Sequence, residues 1–456
     1  MKKEKKAIVV GAGLVGTLWA ILLAKRGYAV EVYERRGDIR RADIVGGRSI
    51  NLAMSTRGWR ALEKAGIKDK IRKVAIPMHG RKMHEVSGDL AFQPYSSDGQ
   101  SIYSVSRAGL NLELMNIADQ YDNVQFFFEH KCLDLDTRQF HLTFEDKRSG
   151  EVKEVTAPLI FGTDGAYSAI RYSLQKTPRF NFQQQFLDYG YKELSIPPTP
   201  SGDFAMDPNA LHIWPRGRFM LIGLPNQDRS FTGTLFLSYE GAVAFENLKT
   251  DEQIMAFFEE YFPDAIPLMP NLLEDFHQNP TASLVTIRCA PWQYRQRVLL
   301  MGDASHAIVP FYGQGMNSGF EDCSLLDDLC DLYKEDWDQI LPAFSKKRVP
   351  DANAIADLAL RNFIEMRDLV SDPPFLLRKK IEKHLERKFP EQFLSVYSMV
   401  TFSNKPYSEA LKETSVQDAL FQRILAMDEI ESRWNSEEVE QVFLNWIEEQ
   451  NLVAAG

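Results

Sequence analysis

Three apolar runs in this chain each end in a turn built of glycine or aspartate, and their order narrows the fold sharply. Ala7-Ile8-Val9-Val10 enters Gly11-Ala12-Gly13-Leu14-Val15-Gly16. Leu159-Ile160-Phe161 enters Gly162-Thr163-Asp164-Gly165. Arg297-Val298-Leu299-Leu300-Met301 enters Gly302-Asp303-Ala304-Ser305-His306. Short apolar runs bounded by such turns read as buried strands. The first turn has the GxGxxG spacing: a tight turn, close approach of backbone to a pyrophosphate, and close helix–strand packing, with the helix N-terminus facing the phosphates. Glu34 closes the next strand, Ala29-Val30-Glu31-Val32-Tyr33-Glu34, where it is placed to accept from ribose hydroxyls. A carboxylate there repels a 2′-phosphate, so NADP is not the ligand of this turn. A Gly-rich turn alone is a common structural device; the flanking strands and Glu34 give this one its meaning. A dinucleotide site that closes only at Gly302-Asp303 implies that another domain is inserted into the cofactor domain.

The 456 residues are enough for two or three domains, and a formal net charge of −10 argues against a nucleic-acid partner. Cys132, Cys289, Cys323 and Cys330 show neither CxxC nor metal-ligand spacing, so no metal is expected, and they fit reduced thiols in a reducing compartment. Met1-Lys2-Lys3-Glu4-Lys5-Lys6 followed by the uncharged stretch 7–24 imitates a signal peptide. The glycines at 11, 13 and 16 and the second strand favour strand–turn–helix instead. No other run is long enough to span a bilayer, and the expected location is the cytoplasm, without membrane attachment.

Along the chain, residues 6–35 read as βαβ, with an apolar helix at 14–26. Residues 80–104 read as a hairpin and 106–121 as an amphipathic helix. From 181 to 287 strand-like runs dominate, with a helix at 251–261 beside a mainly antiparallel layer. After 297 the strand–turn–helix pattern returns, and from about 316 onward the chain is almost all helical.

Asp164-Gly165-Ala166-Tyr167-Ser168-Ala169-Ile170-Arg171 has the form D-G-x-x-S-x-x-R. Here the sequence resembles the group A flavoprotein hydroxylases, and Gly302-Asp303 resembles the same family's GD segment, in which the Asp contacts flavin ribose. Either dipeptide alone is a common turn; in register with GxGxxG and in this order they become specific. The resemblance covers roughly residues 5–370. With the chain order above it implies an α/β fold: a discontinuous Rossmann-type FAD-binding domain (1–67, 105–180 and 286–370), an inserted antiparallel-sheet substrate domain (68–104 and 181–285), and a C-terminal helical region (371–456). FAD would be held by Gly11, Gly13, Gly16, Glu34, Arg107, Asp164, Asp303, Gly315, Met316 and Asn317.

Further segments look like those of the kynurenine-hydroxylating members of this family: Gly47 to Gly58, Gln93-Pro94-Tyr95, Ser104-Val105-Ser106-Arg107, Leu211 to Arg216, and Val309 to Asn317. In those members NADPH reduces FAD, and one oxygen of O2 goes to the ring carbon of L-kynurenine ortho to the amine, in tryptophan degradation. The expected partners are therefore L-kynurenine, NADPH and O2. Oxygen-activated flavin is lost quickly to water, so the pocket should be apolar and dry. Leu211, Ile222, Leu224 and Phe236 are candidate walls, although each equally fits plain sheet core. Pro310, Phe311 and Gln314 adjoin the flavin turn and should form the ceiling of the reaction site. A buried substrate carboxylate needs a paired cation, best an Arg fork. By the resemblance, Arg81 and Tyr95 make that clamp, completed by Asn362 and Tyr397. His306 reads as structural rather than as a proton relay. Eukaryotic members carry a C-terminal hydrophobic anchor; this sequence shows none.

Two other functions fit parts of the pattern. One is hydroxylation of another aromatic acid; phenolic substrates need a route for deprotonation that an aniline does not. The other is a non-catalytic carrier of the same fold, as in the GDP-dissociation inhibitors, which lack intact flavin contacts. Glu34, Arg107, Asp164 and Asp303 are all present here.

Overall fold

The computed structural model describes residues 5–41, 51–96, 99–366 and 372–455. Of the segments singled out above, Met1–Glu4 and Gly46–Ile50 lie outside the described residues. The three glycine/aspartate turns sit at the ends of neighbouring strands of one six-stranded sheet. Its order is Gln293–Tyr294, Val298–Leu300, Leu159–Gly162, Lys6–Val10, Ala29–Glu34 and Val124–Phe128. All pairs are parallel except the first. The strands read as unbroken apolar runs because both faces are covered, and Leu14–Lys25 is buried from Gly16 to Ala24 for the same reason.

A seven-stranded sheet forms the second layer, in the order Ala282–Ala290, Asn181–Ile196, Phe231–Ser238, Met220–Pro225, Ala210–Pro215, Gly80–His84 and Leu90–Pro94. Only the pair Ala210–Pro215 with Gly80–His84 is parallel. Side chains alternate across a sheet, and the register divides this one cleanly. Leu194, Trp214, Leu221 and Leu235 face helices Asp251–Tyr261 and Leu272–Gln278 in one core. Arg81, Tyr191, Leu211, Ile213, Ile222 and Phe236 face the opposite way, as their cross-strand pairing requires. That second face lies against the turn Pro310–Tyr312 and helix Trp337–Ile364, with Phe311 and Phe363 in the same apolar cluster as Phe236.

The hairpin expected at 80–104 forms as Gly80–His84 with Leu90–Pro94. Ile102–Ser106 instead joins Asn51–Met54 and Ile76–Met78 in a small separate sheet. Ile71 and Ala75 pack into the core of the first sheet. Toward the C-terminus, helices Pro373–Lys388, Val396–Thr401, Tyr407–Leu425 and Glu437–Ala455 follow. Ile381, Leu385, Leu420, Phe421, Val439 and Phe443 give them a core of their own. No helix among the described residues is long and apolar enough to cross a membrane.

Candidate active site

The GxGxxG turn is held in a conformation that only glycine serves. Gly11 has φ +102°, and a Cβ there would stand 2.6 Å from the Thr163 carbonyl oxygen. A Cβ on Gly16 would meet the Gly11 carbonyl oxygen at 2.0 Å. Gly13 differs: nothing lies within 4 Å of where its Cβ would be, so the middle of the turn opens on free space. Thr163 donates its hydroxyl to Val10 O and Gly11 O, which fastens the second turn to the first. Glu34 is buried; its Oε2 accepts from Ala12 N at 3.0 Å and its Oε1 from Arg36 N at 2.9 Å.

Around this cradle, acceptor oxygens lack donors. Asp164 accepts from Ala169 N and Ile170 N through Oδ2. Its Oδ1 is buried and has no partner among the described residues. Burial raises the pKa of this carboxyl, against the Ser168 hydroxyl and the two amides. Asp303 opens a helical turn after Gly302 and is exposed. Asn111 gives its amide to Ala12 O, and its own Oδ1 is an orphan. An open glycine cradle at a helix N-terminus, ringed by acceptors that need hydroxyl donors, suits a diphosphate flanked by polyols. The residues present therefore fit FAD. Arg107 is exposed at the start of helix Arg107–Ala118, and its charge reaches Tyr191 and Glu193 on the facing sheet.

The next turn uses its side chains internally. Asn317 donates to Ala53 O and Gly313 O, both at 2.8 Å, and accepts from Ser55 N at 2.9 Å. Gln314 accepts from the Tyr407 hydroxyl at 2.9 Å. Both are fully buried, so what they can offer a cofactor is position: they fix Gly315 and Met316 at the start of helix Gly315–Leu332. Phe311 stacks on Phe363, with centroids 4.2 Å apart, and lies 5.0 Å from Phe236. Pro310, just before it, is exposed.

Arg81, Tyr95 and Tyr397 come together from three elements. The Arg81 guanidinium lies 5.6 Å from the Tyr95 ring centroid and 5.1 Å from that of Tyr397. Tyr397 also stacks on Tyr312, at 5.8 Å, which ties the trio to the Pro310–Tyr312 turn. Arg81 and Tyr397 are half-buried. Arg81 Nε and the Tyr95 hydroxyl are buried and meet no hydrogen-bond partner among the described residues. Burial raises both phenols, so they are neutral hydroxyls at pH 7. A charged fork beside two neutral hydroxyls has the chemistry to take a carboxylate. Leu211 and Ile222 border both this cluster and the Phe311 cluster; Leu224 belongs to the first and Phe236 to the second. Asn362 stands differently: its amide donates to Phe311 O at 2.7 Å and to Met366 Sδ at 3.3 Å.

His306 bonds to Asp322 at 2.7 Å and stacks on Trp292. Asp322 also receives Arg348 at 2.8 Å, so this is a buried structural ion cluster. Three residues here were not singled out by sequence: Phe363, Tyr407, and Arg57, whose guanidinium lies 3.8 Å from the Tyr407 ring centroid. Arg57 falls inside a segment that carried the resemblance; nothing in the local sequence marks Phe363 or Tyr407.

The family described as the FAD binding domain matches residues 4–359. Curated relatives named kynurenine 3-monooxygenase are similar over nearly all of the chain. The protein from Flavobacterium psychrophilum is 48% identical over 96% of this chain and 98% of its own length. That from Myxococcus xanthus is 49% identical over 92% and 90%, and that from Sus scrofa 46% over 88% and 85%. Among solved structures, the tetrameric form of 2-methyl-3-hydroxypyridine-5-carboxylic acid oxygenase matches with a TM-score of 0.66 at 20% identity, over 82% of this chain and 95% of that one. P. aeruginosa PqsL in complex with 2-aminobenzoylacetate matches at 0.64 and 19%, over 80% and 96%.

Proposed function

The chain belongs to the kynurenine 3-monooxygenase family, and from that premise we infer both its reaction and the parts its residues play. It is an FAD-dependent monooxygenase that hydroxylates L-kynurenine at ring position 3. The balance is kynurenine, NADPH, a proton and O2 giving 3-hydroxykynurenine, NADP⁺ and water. Bound FAD supplies the redox chemistry, taking electrons from NADPH and activating O2. The protein supplies binding, orientation and a dry site.

The pyrophosphate would rest on Gly11, Gly13 and Gly16, and flavin and ribose hydroxyls would meet Glu34, Asp164 and Asp303. Arg107, Gly315, Met316 and Asn317 would border the ring. Arg81 holds the amino-acid carboxylate, assisted by the hydroxyls of Tyr95 and Tyr397. Leu211, Ile222, Leu224 and Phe236 wall the ring of the substrate, and Pro310 and Phe311 roof it. Asn362 acts here through Phe311, whose carbonyl it braces, and Gln314 through Tyr407. An aniline ring is already activated by its amine, so no residue need deprotonate it. We retain the three-part division at 1–67, 105–180 and 286–370; 68–104 and 181–285; and 371–456, which the separate core of the C-terminal helices favours, although strands Ile102–Ser106 and Ala282–Ala290 run across its bounds. The packing of Ile71 and Ala75 moves the first boundary a few residues later. Four unpaired thiols support a cytoplasmic location.

The observation that carries the substrate assignment is the Arg81 fork buried between Tyr95 and Tyr397. The test is NADPH oxidation by the flavin-loaded protein with kynurenine, 4-hydroxybenzoate and other aromatic acids, with product identified by mass. Kynurenine should trigger oxidation and yield one added oxygen on the ring. Faster turnover of a phenolic acid would refute the assignment.

A further inference from the structure

Strand Asn181–Ile196 is flanked on both sides over only part of its length. Residues 189–196 are paired with Phe231–Ser238. Among the described residues, 181–186 are paired with Ala282–Ala290 alone, and every one of them is exposed. An open strand edge presents a row of backbone donors and acceptors, and proteins usually blunt it with lysine, proline or an inward charge. This edge has none of these: residues 181–187 read Asn-Phe-Gln-Gln-Gln-Phe-Leu, without a charge or proline, in a chain with 25% charged residues. The irregularity that could twist the strand away lies beyond it, between Phe186 and Gly190. Phe182 and Phe186 stand on the edge 38% and 49% exposed. The Arg171 guanidinium lies 4.9 Å from the Phe182 ring centroid and braces it.

The edge also indicates what would cover it. Phe182-Gln183-Gln184-Gln185-Phe186 reads the same in both directions. Antiparallel pairing with a second copy, centred on Gln184, sets each Phe182 opposite the other strand's Phe186. Each Gln183 then faces a Gln185, and Gln184 faces itself on the two-fold axis. Residues two apart share a face, so all four rings fall on one side of the pair. Aromatic pairs directly across two strands are among the favourable ones. A slip of one residue sets Phe182 against Gln185 and Phe186 against Asn181, or Phe186 against Gln183 and Phe182 against Leu187, so either way the aromatic pairs are lost and the register is selected. The contact uses the same patch on both subunits, as a two-fold dimer requires. It brings no like charges together, although each subunit carries a formal −10.

We propose that residues 181–186 form a self-complementary docking edge through which two copies of this chain pair antiparallel about Gln184. The patch is small, so the dimer is reversible and weaker than those with standard interfaces. It leaves the substrate chamber untouched, and the proposal does not depend on which aromatic acid is the substrate.

The test is sedimentation of the FAD-loaded protein from low to high micromolar concentration. A concentration-dependent monomer–dimer equilibrium is expected. Gln184→Lys places two ammonium groups together on the axis and should raise the dimer dissociation constant about tenfold or more. The double variant Q183K/Q185K should do the same. Q183K/Q185E sets Lys opposite Glu twice in this register and should dimerise at least as well as the parent. Gln184→Cys should give a disulfide-linked dimer under mild oxidation, whereas Gln183→Cys should not. These residues are exposed and outside the site, so flavin content and kynurenine-dependent NADPH oxidation report that each variant is folded. A protein that stays monomeric throughout, or a dimer indifferent to Gln184→Lys, would overturn the proposal. So would Q183K/Q185E disrupting as strongly as Q183K/Q185K.

Discussion

The rings of Tyr95 and Tyr397 lie stacked, 5.8 Å between centroids and 11° from parallel, although one follows a strand and the other sits on a C-terminal helix. The Arg81 guanidinium lies near both. The aromatic pair thus fixes the fork's direction before any ligand arrives, which lowers the ordering cost of binding.

Removing Arg81 should strand the substrate carboxylate in an apolar space. Arg81→Ala is expected to weaken kynurenine binding by roughly 2–5 kcal/mol. Arg81→Lys should recover only part of this, because an ammonium cannot replace the planar fork. Flavin content should equal that of the parent in both. Kynurenine titrations followed by flavin fluorescence give the affinities, and unchanged binding in Arg81→Ala would move the clamp elsewhere.

Asp303 carries the next prediction. Its carboxylate follows the strand Val298–Leu300 at the mouth of the cradle. Losing one charge-assisted bond costs about 1.5–3 kcal/mol. Asp303→Ala should therefore purify with much less flavin, while its secondary structure stays intact. Absorbance near 450 nm per mole of protein reads this directly, and parental flavin content would remove Asp303 from the cofactor site.

The sequence made these turns legible because their requirement is local: a backbone that needs glycine announces it. Arg81 and Tyr95 were legible because a hairpin keeps them close. The Gln314–Tyr407 bond, across 93 residues, had no such signal. Nor did the stacking of Arg57 on Tyr407, since side-chain pairing between a motif and a distant helix is decided by packing. A motif also marks a residue without saying which of its groups works. Asn317 and Gln314 were picked out as cofactor and catalytic positions, and the fold binds both ends of the Asn317 amide and the side-chain oxygen of Gln314 to protein.

Acid should weaken the fold through His212. This ring is buried; its Nε2 bonds to Asp207 O and its Nδ1 meets His84 Nε2 at 2.8 Å. Burial, with the charges of His84 and Lys82, pushes its pKa down from 6.5 to about 4. A base depressed in the folded state stays neutral there while the unfolded chain takes up protons near 6.5. The stability it confers is thus present above 6.5 and lost as pH falls toward 4, at up to about 1.4 kcal/mol per pH unit. His212→Gln keeps a donor and an acceptor without titrating. Urea unfolding at pH 7 and pH 4.5 should show the parent losing about 2–3 kcal/mol more than the variant. Equal losses would show that His212 does not couple folding to pH.

The last prediction ties the C-terminal helices to control of the reaction. Tyr397 meets Arg81, Tyr95 and Tyr312, with Tyr312 next to Phe311 in the turn proposed to roof the chamber. A carboxylate bound at Arg81 therefore acts on helix Val396–Thr401 and on that roof together. Substrate binding is then able to shift the chamber between looser and tighter states, as gating requires. An oxygen-activating enzyme gains from this, because flavin reduced without substrate releases its electrons as hydrogen peroxide. Tyr397→Phe keeps the ring stack and removes only the hydroxyl, one hydrogen bond to a charged group worth about 1.5–3 kcal/mol. The kynurenine KM should rise by about tenfold or more, and peroxide per NADPH should increase, while the flavin spectrum and content stay those of the parent. Stopped-flow flavin reduction and peroxide yield, each measured with and without kynurenine, separate the two effects. A raised KM with parental coupling would limit Tyr397 to binding. Parental values for both would make it ordinary helix packing and leave the gate without its connection to the substrate.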